Sequence, residues 1–412
     1  MDLVTRFTGH RPTAAGRYYT GSVVDRFRYL NSSVLQLACL FVASRLALLL
    51  VGLASTWLLP SGSALQGGTP MWHEPAPRAL EIWARWDSEW YLLIAERGYD
   101  VVSLPTQFGL RTDPTFTAGF LPLYPVLIRA LTPIFGGVGA GLVISNLALF
   151  AALLLLHRLV RFEVDGETGE VAAMFSCVAL LVFPSSLFLS AVYAESLYLA
   201  LSIGVFLSAR QGQFAIAGAL GGLATLTRPF GILLVIPVLW EWWRQRRDNS
   251  NGVWSVFWVL PIPGALAAFM LFCAEVFGDP LALIHRQERL RGGLSGPWQA
   301  FLRWWEVGPV AHGSHGSTLE LVVAVCCVIG LGVMVRRLPV SYTLYTAAGL
   351  TLALGSTLWS FSRFALTLFP FFILLGISWA AGRRCVPTLY AFVGATTSGL
   401  LMVLFANWWW AG

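Results

Sequence analysis

The sequence predicts an all-α, polytopic membrane protein, and three features carry that prediction. Hydrophobic residues fill 57% of the 412 positions and charged residues only 12%. The mean hydropathy is +0.69, beyond what a soluble domain tolerates. Apolar stretches near the roughly 20 residues needed to cross a bilayer recur along the whole length.

In chain order, residues 1–33 are polar and hold Arg6, Arg11, Arg17, Arg26 and Arg28 without an apolar core. This segment reads as a cytoplasmic N-terminal piece, not a cleavable signal. Residues 34–412 read as one integral membrane domain. Spanning segments are expected at 34–59, 138–160, 170–191, 195–209, 213–227, 229–243, 254–276, 319–335, 340–358, 364–381 and 387–410, about eleven crossings. Several are short, and 213–227 meets 229–243 at Arg228-Pro229, where proline breaks a helix. Residues 120–129 read as a short interfacial helix with prolines at its ends.

All 27 basic residues are arginine. With the N-terminus inside, the inner short loops collect Arg158 and Arg161, Arg210, Arg244 with Arg246 and Arg247, Arg336 with Arg337, and Arg383 with Arg384. Two long loops, roughly 60–118 and 277–318, then face outward. A net charge of +6 fits anchoring at a cytoplasmic face and does not argue for nucleic acid. The six cysteines fall in or beside apolar segments with no metal spacing and read as packing residues.

This placement brings Asp87, Glu195, Arg228, His285, Arg286 and Arg363 to one face. Polar outer loops account for Arg289, Arg291 and Arg303, but less well for Glu195 and Arg363 at the ends of apolar helices. The stretch WARWDSEWYLLIAERGY at 83–99 sets Asp87 among aromatics. A helix over 79–97 would place Trp83, Trp90, Tyr91 and Ile94 on the face of Asp87, while Glu89 joins an exposed ladder with Arg85 and Glu81. Such a helix would lie along the membrane surface. An acid on its aromatic side loses hydration unless a substrate compensates. A sugar fits: its C–H faces rest on Trp or Tyr and its hydroxyls bond to the carboxylate. If the leaving group is a phosphate, a single general base for the incoming hydroxyl is enough, whereas a glycoside hydrolase needs two carboxylates.

The stretches RWDSEWYLLIAERGYD, AGFLPLYPVLIR, FPSSLFLSAVYAESLYLAL, LATLTRPFGILLVIPVLWE and WSFSRFALTLFPFFILL resemble, in that order, the Pig-V-like mannosyltransferases, relatives of the second mannosyltransferase of glycosylphosphatidylinositol assembly. The resemblance covers roughly residues 34–381. It implies a C-type membrane glycosyltransferase fold, a polyprenyl-phosphate-linked mannose donor, inversion at the anomeric centre and a non-cytoplasmic site. Asp87 would match the family's catalytic acid in the first outer loop. The arginine-for-lysine bias points to a bacterial plasma membrane over an endoplasmic reticulum membrane, so the family's best-known acceptor is not carried over. The acceptor is a lipid- or glycan-linked hydroxyl.

Around Asp87, substrate contacts are expected from Trp86, Trp90 and Tyr91. Arg228 and Arg363 are candidates for the donor phosphate, each equally readable as a snorkelling arginine. Glu195 would hold one of these arginines or orient an acceptor hydroxyl. His285 and Arg286 open a loop that covers the site as a lid or is simply solvated. His312 and His315 read as flexible linker more than as a metal pair. Arg45 lies inside the first span and needs a partner. The terminal Asn-Trp-Trp-Trp reads as an interface anchor. No cofactor is implied, and dependence on a divalent metal is left open. The rival functions are transfer of another polyprenyl-phosphate sugar by the same fold and, from a different class, secondary transport. Transport would favour internal repeats and a midplane site, and no repeat is evident.

Overall fold

The computed structural model describes residues 23–59, 76–99, 115–247, 252–310, 312, 315–382 and 385–411, with side chains from Ser32 onward. Arg6, Arg11, Arg17, Arg383, Arg384 and parts 60–75 and 100–114 of the expected first outer loop lie outside the described residues. Arg26 and Arg28 fall in the start of the first helix.

Each expected span contains a helix, although the one expected over 170–191 stops at Leu181. The long ones are α1 (Val23–Leu58), α4 (Leu123–Glu163), α9 (Pro261–Phe277), α12 (Thr318–Arg337) and α16 (Cys385–Ala406). The short ones are α5 (Gly166–Leu181), α6 (Glu195–Arg210), α7 (Phe214–Thr225), α8 (Val235–Arg247), α13 (Val340–Leu354), α14 (Phe361–Thr367) and α15 (Pro370–Ala380). Between the spans lie α2 (Arg78–Glu81), α3 (Asp87–Arg97), α10 (Ala282–Arg291) and α11 (Gln299–Val307).

Among the described residues, five helices are long and apolar enough to cross a membrane, α9 counting together with the 3-10 turn before it, or six if α14 and α15, bent by 71°, form one span. The expectation of about eleven crossings also counts the shorter apolar helices, which this length criterion leaves out. The difference lies in helices such as α7 with 12 residues and α6 with 16. At 1.5 Å per residue these reach only roughly 18–24 Å of a ~30 Å core. The short helix expected over 120–129 falls in the first part of α4, which holds Pro133 and breaks at Gly136 (φ 68°).

Leu35, Leu50, Leu271, Ile329 and Phe392 are all more than 60% exposed, so the outer surfaces of α1, α9, α12 and α16 are apolar, as lipid requires. The buried cluster runs from Leu37 to Ala411 and centres on α4, α5 and α6. Between helices in lipid, close packing replaces the hydrophobic drive, and small residues permit it. On α7, a Cβ at Gly218 or Gly222 would collide with the carbonyls of Trp258 and Pro261.

Arg45 finds its partners where α5 ends. Its guanidinium donates to Leu181 O (3.1 Å), at the last residue of α5, and to Ser186 O (2.9 Å), in the 3-10 turn that follows. Two further charged groups gather at the two ends of α6, around Glu195 at its start and Arg210 at its finish, roughly 22 Å apart along the axis.

Candidate active site

Asp87 is the first residue of α3, where an acid favours the helix dipole. The segment 79–97 is not one helix: α2 stops at Glu81 and the chain turns through Trp86, a non-glycine residue at φ 58°. Trp83 therefore does not share a helical face with Asp87. The turn is pinned from beneath. Tyr193 Oη donates to Arg85 O (3.1 Å) and accepts from Asp87 N (3.2 Å), and Val192 N donates to Trp83 O (3.1 Å). The FPSSLFLSAVYAES stretch thus scaffolds the carboxylate's backbone.

The exposed ladder and the surface helix are both corrected. Arg85 keeps its bond to Glu81 (2.8 Å), but its guanidinium is buried 4.7 Å from the Trp408 ring and burial lowers its pKa. Glu89 is only 3% exposed, and Ser88 through Ala95 are buried against α4 and the residues around it. The aromatic segment packs inside the protein, because both of its faces meet protein.

Arg363, on α14, joins the acids. It donates to Asp87 Oδ2 (3.0 Å) and reaches Glu195 Oε1 through Nη2 (2.9 Å) and Nε (3.2 Å). Arg228 forms an ion pair with the same Glu195 oxygen. Arg228 precedes Pro229, which holds it extended (φ −148°, ψ 146°) at the break between α7 and the following 3-10 turn. The Arg363 guanidinium also lies 4.7 Å from the rings of Phe188 and Tyr193. The N-terminus of α14 is fixed by Glu320 of α12, which accepts from Ser362 Oγ (2.9 Å) and Ser362 N (2.5 Å).

These groups border a cavity of about 600 Å³. Asp87, Arg228, Arg286, Arg291 and Arg363 line it together with Trp86, Trp90, Tyr91 and Phe116. The non-glycine residues with positive φ among those described are Trp86, Ser360 (φ 62°) and Trp408 (φ 64°), and all three line this cavity. Each such conformation costs about 1–3 kcal/mol, and such strain gathers where a site is held in shape.

Residues 37–241, half of the chain, match the family model described as mannosyltransferase (PIG-V). The chain belongs to that family. It is therefore a membrane glycosyltransferase. No curated protein matches it. The structure of ArnT from Cupriavidus metallidurans bound to undecaprenyl phosphate aligns with 90% of this chain and 71% of its own at 15% identity, with a TM-score of 0.48. The apo ArnT structure aligns with 90% and 77% at 16% identity, with a TM-score of 0.36. Likenesses of that size carry no argument about this transferase.

Of the residues named from the transferase's sequence, Trp86, Asp87, Trp90, Tyr91, Arg228, Arg286 and Arg363 line the cavity, and Glu195 lies behind it, bonded to both arginines. Arg286 is buried with its guanidinium 3.6 Å over the Phe116 ring. His285 does not line the cavity: its Nδ1 meets Asp279 Oδ2 at 2.7 Å, a contact that holds the Asp279 carboxyl below its usual range. His312 and His315 turn to Ser317 Oγ (3.3 Å) and the Trp359 ring (5.2 Å). Among the described residues no three His, Cys, Asp or Glu are grouped to hold a metal.

Three features were not read from the sequence. Arg291, assigned to an ordinary polar loop, lines the cavity 4.7 Å from the Phe364 ring, donates to Trp359 O (2.8 Å) and has no ion-pair partner among the described residues. Burial and the neighbouring Arg363 push it down to about 10, so it stays charged at neutral pH. Glu320 carries no motif that marks it as the support of α14. The terminal tryptophans are the third: Trp408, only 8% exposed, and Trp410 line the cavity instead of anchoring to the interface.

Proposed function

We propose that the chain is an inverting mannosyltransferase that moves mannose from a polyprenyl-phosphate carrier to a hydroxyl of a lipid- or glycan-linked acceptor. Residues 34–412 act as one C-type catalytic unit at the non-cytoplasmic face of a bacterial plasma membrane, behind a cytoplasmic segment 1–33. The observation that carries this reading is Asp87 itself. Arg363 holds Oδ2, while Oδ1 takes no hydrogen bond among the described residues and the side chain remains 31% exposed beside the cavity.

Asp87 accepts the proton of the acceptor hydroxyl as its oxygen attacks the anomeric carbon from the face opposite the phosphate. The carbon–oxygen bond to the phosphate breaks, and the phosphate leaves with that electron pair and needs no acid. Arg363 and Arg228 are both committed to carboxylates, so their role shifts from phosphate ligand to holding the base. Arg291 takes the phosphate, because its fork is charged and free of acids. Trp90 and Tyr91 shape the apolar wall.

The test is to incubate the purified chain with polyprenyl-phosphate mannose and membrane lipids and to seek a mannosylated product by mass spectrometry. Absence of any donor consumption overturns the reading. For the side of the membrane, a cysteine at Leu294, which is 65% exposed near the cavity, should react with an impermeant reagent from outside, and one at Arg246 should not. The reverse pattern places the site in the cytoplasm.

A further inference from the structure

A second depression lies apart from the site around Asp87 and shares no lining residue with it. Its volume is about 480 Å³, and it runs between α4 and α6 with Leu220 of α7 on its wall. On α4 it is lined by Ile144, Ala151 and Leu155, and on α6 by Leu197, Gly204 and Ser208. Small residues make the room: a Cβ added at Gly204 would stand 3.0 Å from Leu220 Cδ1. From Ile144 to Leu155, and from Leu197 to Ser208, the lining extends roughly 16 Å at ~1.5 Å per residue, about the depth of one leaflet of a ~30 Å core. The groove is as long as a seated acyl chain needs.

The chemistry changes at the end marked by Leu155 and Ser208. Carried on at about 100° per residue, the lining face of α4 reaches Arg158 and that of α6 reaches Gln211, and both are exposed. Side chains on a helix lean toward its N-terminus, so Arg158 leans back over the groove. The neighbouring cations are committed: Arg161 pairs with Glu170 (3.5 Å) and donates to Gly166 O, and Arg210 pairs with Glu163 and Glu241. Arg158 has no ion pair among the described residues. A guanidinium that no acid balances, at the end of an apolar groove between helices, suits a phosphodiester carried on a hydrocarbon chain. A choline head would bring its own cation to Arg158, whereas a glycerol head brings hydroxyls that the Gln211 amide can bond.

We propose that this groove binds one anionic glycerophospholipid of the phosphatidylglycerol type, with an acyl chain along α4 and α6 and its phosphate on Arg158. The site does not rest on the transferase reading. It bears on it through α6, whose other end presents Glu195 to Arg228 and Arg363, so the lipid braces the helix behind the charged cluster.

Native mass spectrometry of the full chain, purified in detergent and given dioleoylphosphatidylglycerol or dioleoylphosphatidylcholine, tests this without turnover. The parent should retain one phosphatidylglycerol at collision energies that strip phosphatidylcholine, and should melt several degrees higher with the former. Arg158→Gln should weaken retention roughly 10-fold, the worth of a lost charged hydrogen bond, and Ala151→Leu, which fills the groove from a half-buried position, should abolish it. Arg336→Gln and Val328→Leu, matched changes at exposed positions of α12, should leave it unchanged. All four variants should melt within a few degrees of the parent in detergent alone. The proposal is overturned if phosphatidylcholine is held as firmly, if Arg158→Gln retains phosphatidylglycerol like the parent, or if the changes on α12 cost as much. It is also overturned if farnesyl phosphate at equal concentration displaces the phosphatidylglycerol, which hands the groove to the sugar carrier, or if Ala151→Leu turns a dimer into a monomer, which makes the groove a subunit interface. Should Ala151→Leu misfold, Arg158→Gln, at an exposed position, still decides.

Discussion

The two ends of α6 carry charged clusters of similar composition and opposite finish. At Arg210, Glu163 is held by two guanidinium bonds of 2.7 Å and by Tyr342 Oη at 2.7 Å, and Glu241 receives Arg210, Arg244 and Ser341 Oγ. Every carboxylate there is wrapped, and none of these residues lines the large cavity. At Glu195, two arginines share one oxygen while Oε2 takes no hydrogen bond, Asp87 gives only one oxygen to Arg363, and three strained residues border the space in front. Buried charge alone therefore does not mark an active site. Incomplete pairing beside a cavity does, because a saturated network has no capacity left for a substrate.

The largest effect that can break this comparison is at the open cluster. Asp87→Asn should lower turnover by roughly 10²–10⁴-fold while thermal stability stays near the parent's, since the amide keeps the shape and loses only the base. Parent-like transfer by this variant would return the cluster to a structural role. At the closed cluster the signs should swap. Arg210→Ala leaves buried Glu163 without a cation and Glu241 with Arg244 alone, and breaking such a buried pair costs about 3–5 kcal/mol, so the melting temperature should fall sharply while turnover per folded molecule holds. If the rate collapses and the melting temperature does not, the contrast between the clusters fails.

Smaller effects sharpen the picture within the cavity. Arg291→Ala should raise the donor KM by about 10- to 100-fold, the worth of a lost charged hydrogen bond, and Arg291→Lys should restore part of it. Initial-rate kinetics over a donor series would show this, and an unchanged KM would pass the phosphate to another cation. The smallest expected effect is at His285. Its ring is paired with Asp279, away from the cavity, so His285→Ala should turn over like the parent; a large loss would bring the loop of α10 into the chemistry.

Local signals in the sequence were enough for part of this. Apolar stretches located a helix in each expected span but not α10 or α11, which lie in what reads as a loop over 277–318, and Arg228-Pro229 announced the extended residue at a helix break. What escaped had no local signature. Nothing in the identity of Trp86 announces a left-handed φ, so 79–97 reads as a continuous helix until the tertiary contact with Tyr193 is seen. Arg291 is chemically the same as Arg289 and Arg303, and only burial against Phe364 separates it from them. The tryptophans at 408 and 410 fit an interface belt equally well, and their role depends on partners in other segments.

The Arg363–Asp87 contact joins residues 276 positions apart, and the bond from Trp86 to the terminal segment spans 323. Ribosomes add roughly 5–20 residues per second, so the base leaves the ribosome roughly 14–55 s before its arginine. A nascent chain paused in that interval is already inserted in the bilayer and already carries Asp87, yet it has neither Arg363 nor the tryptophan wall. The order of synthesis thus sets an order of assembly: the Asp87–Arg363 pair and the contacts of Trp86 close only after the segments that bring Arg363 and Trp409 have been made.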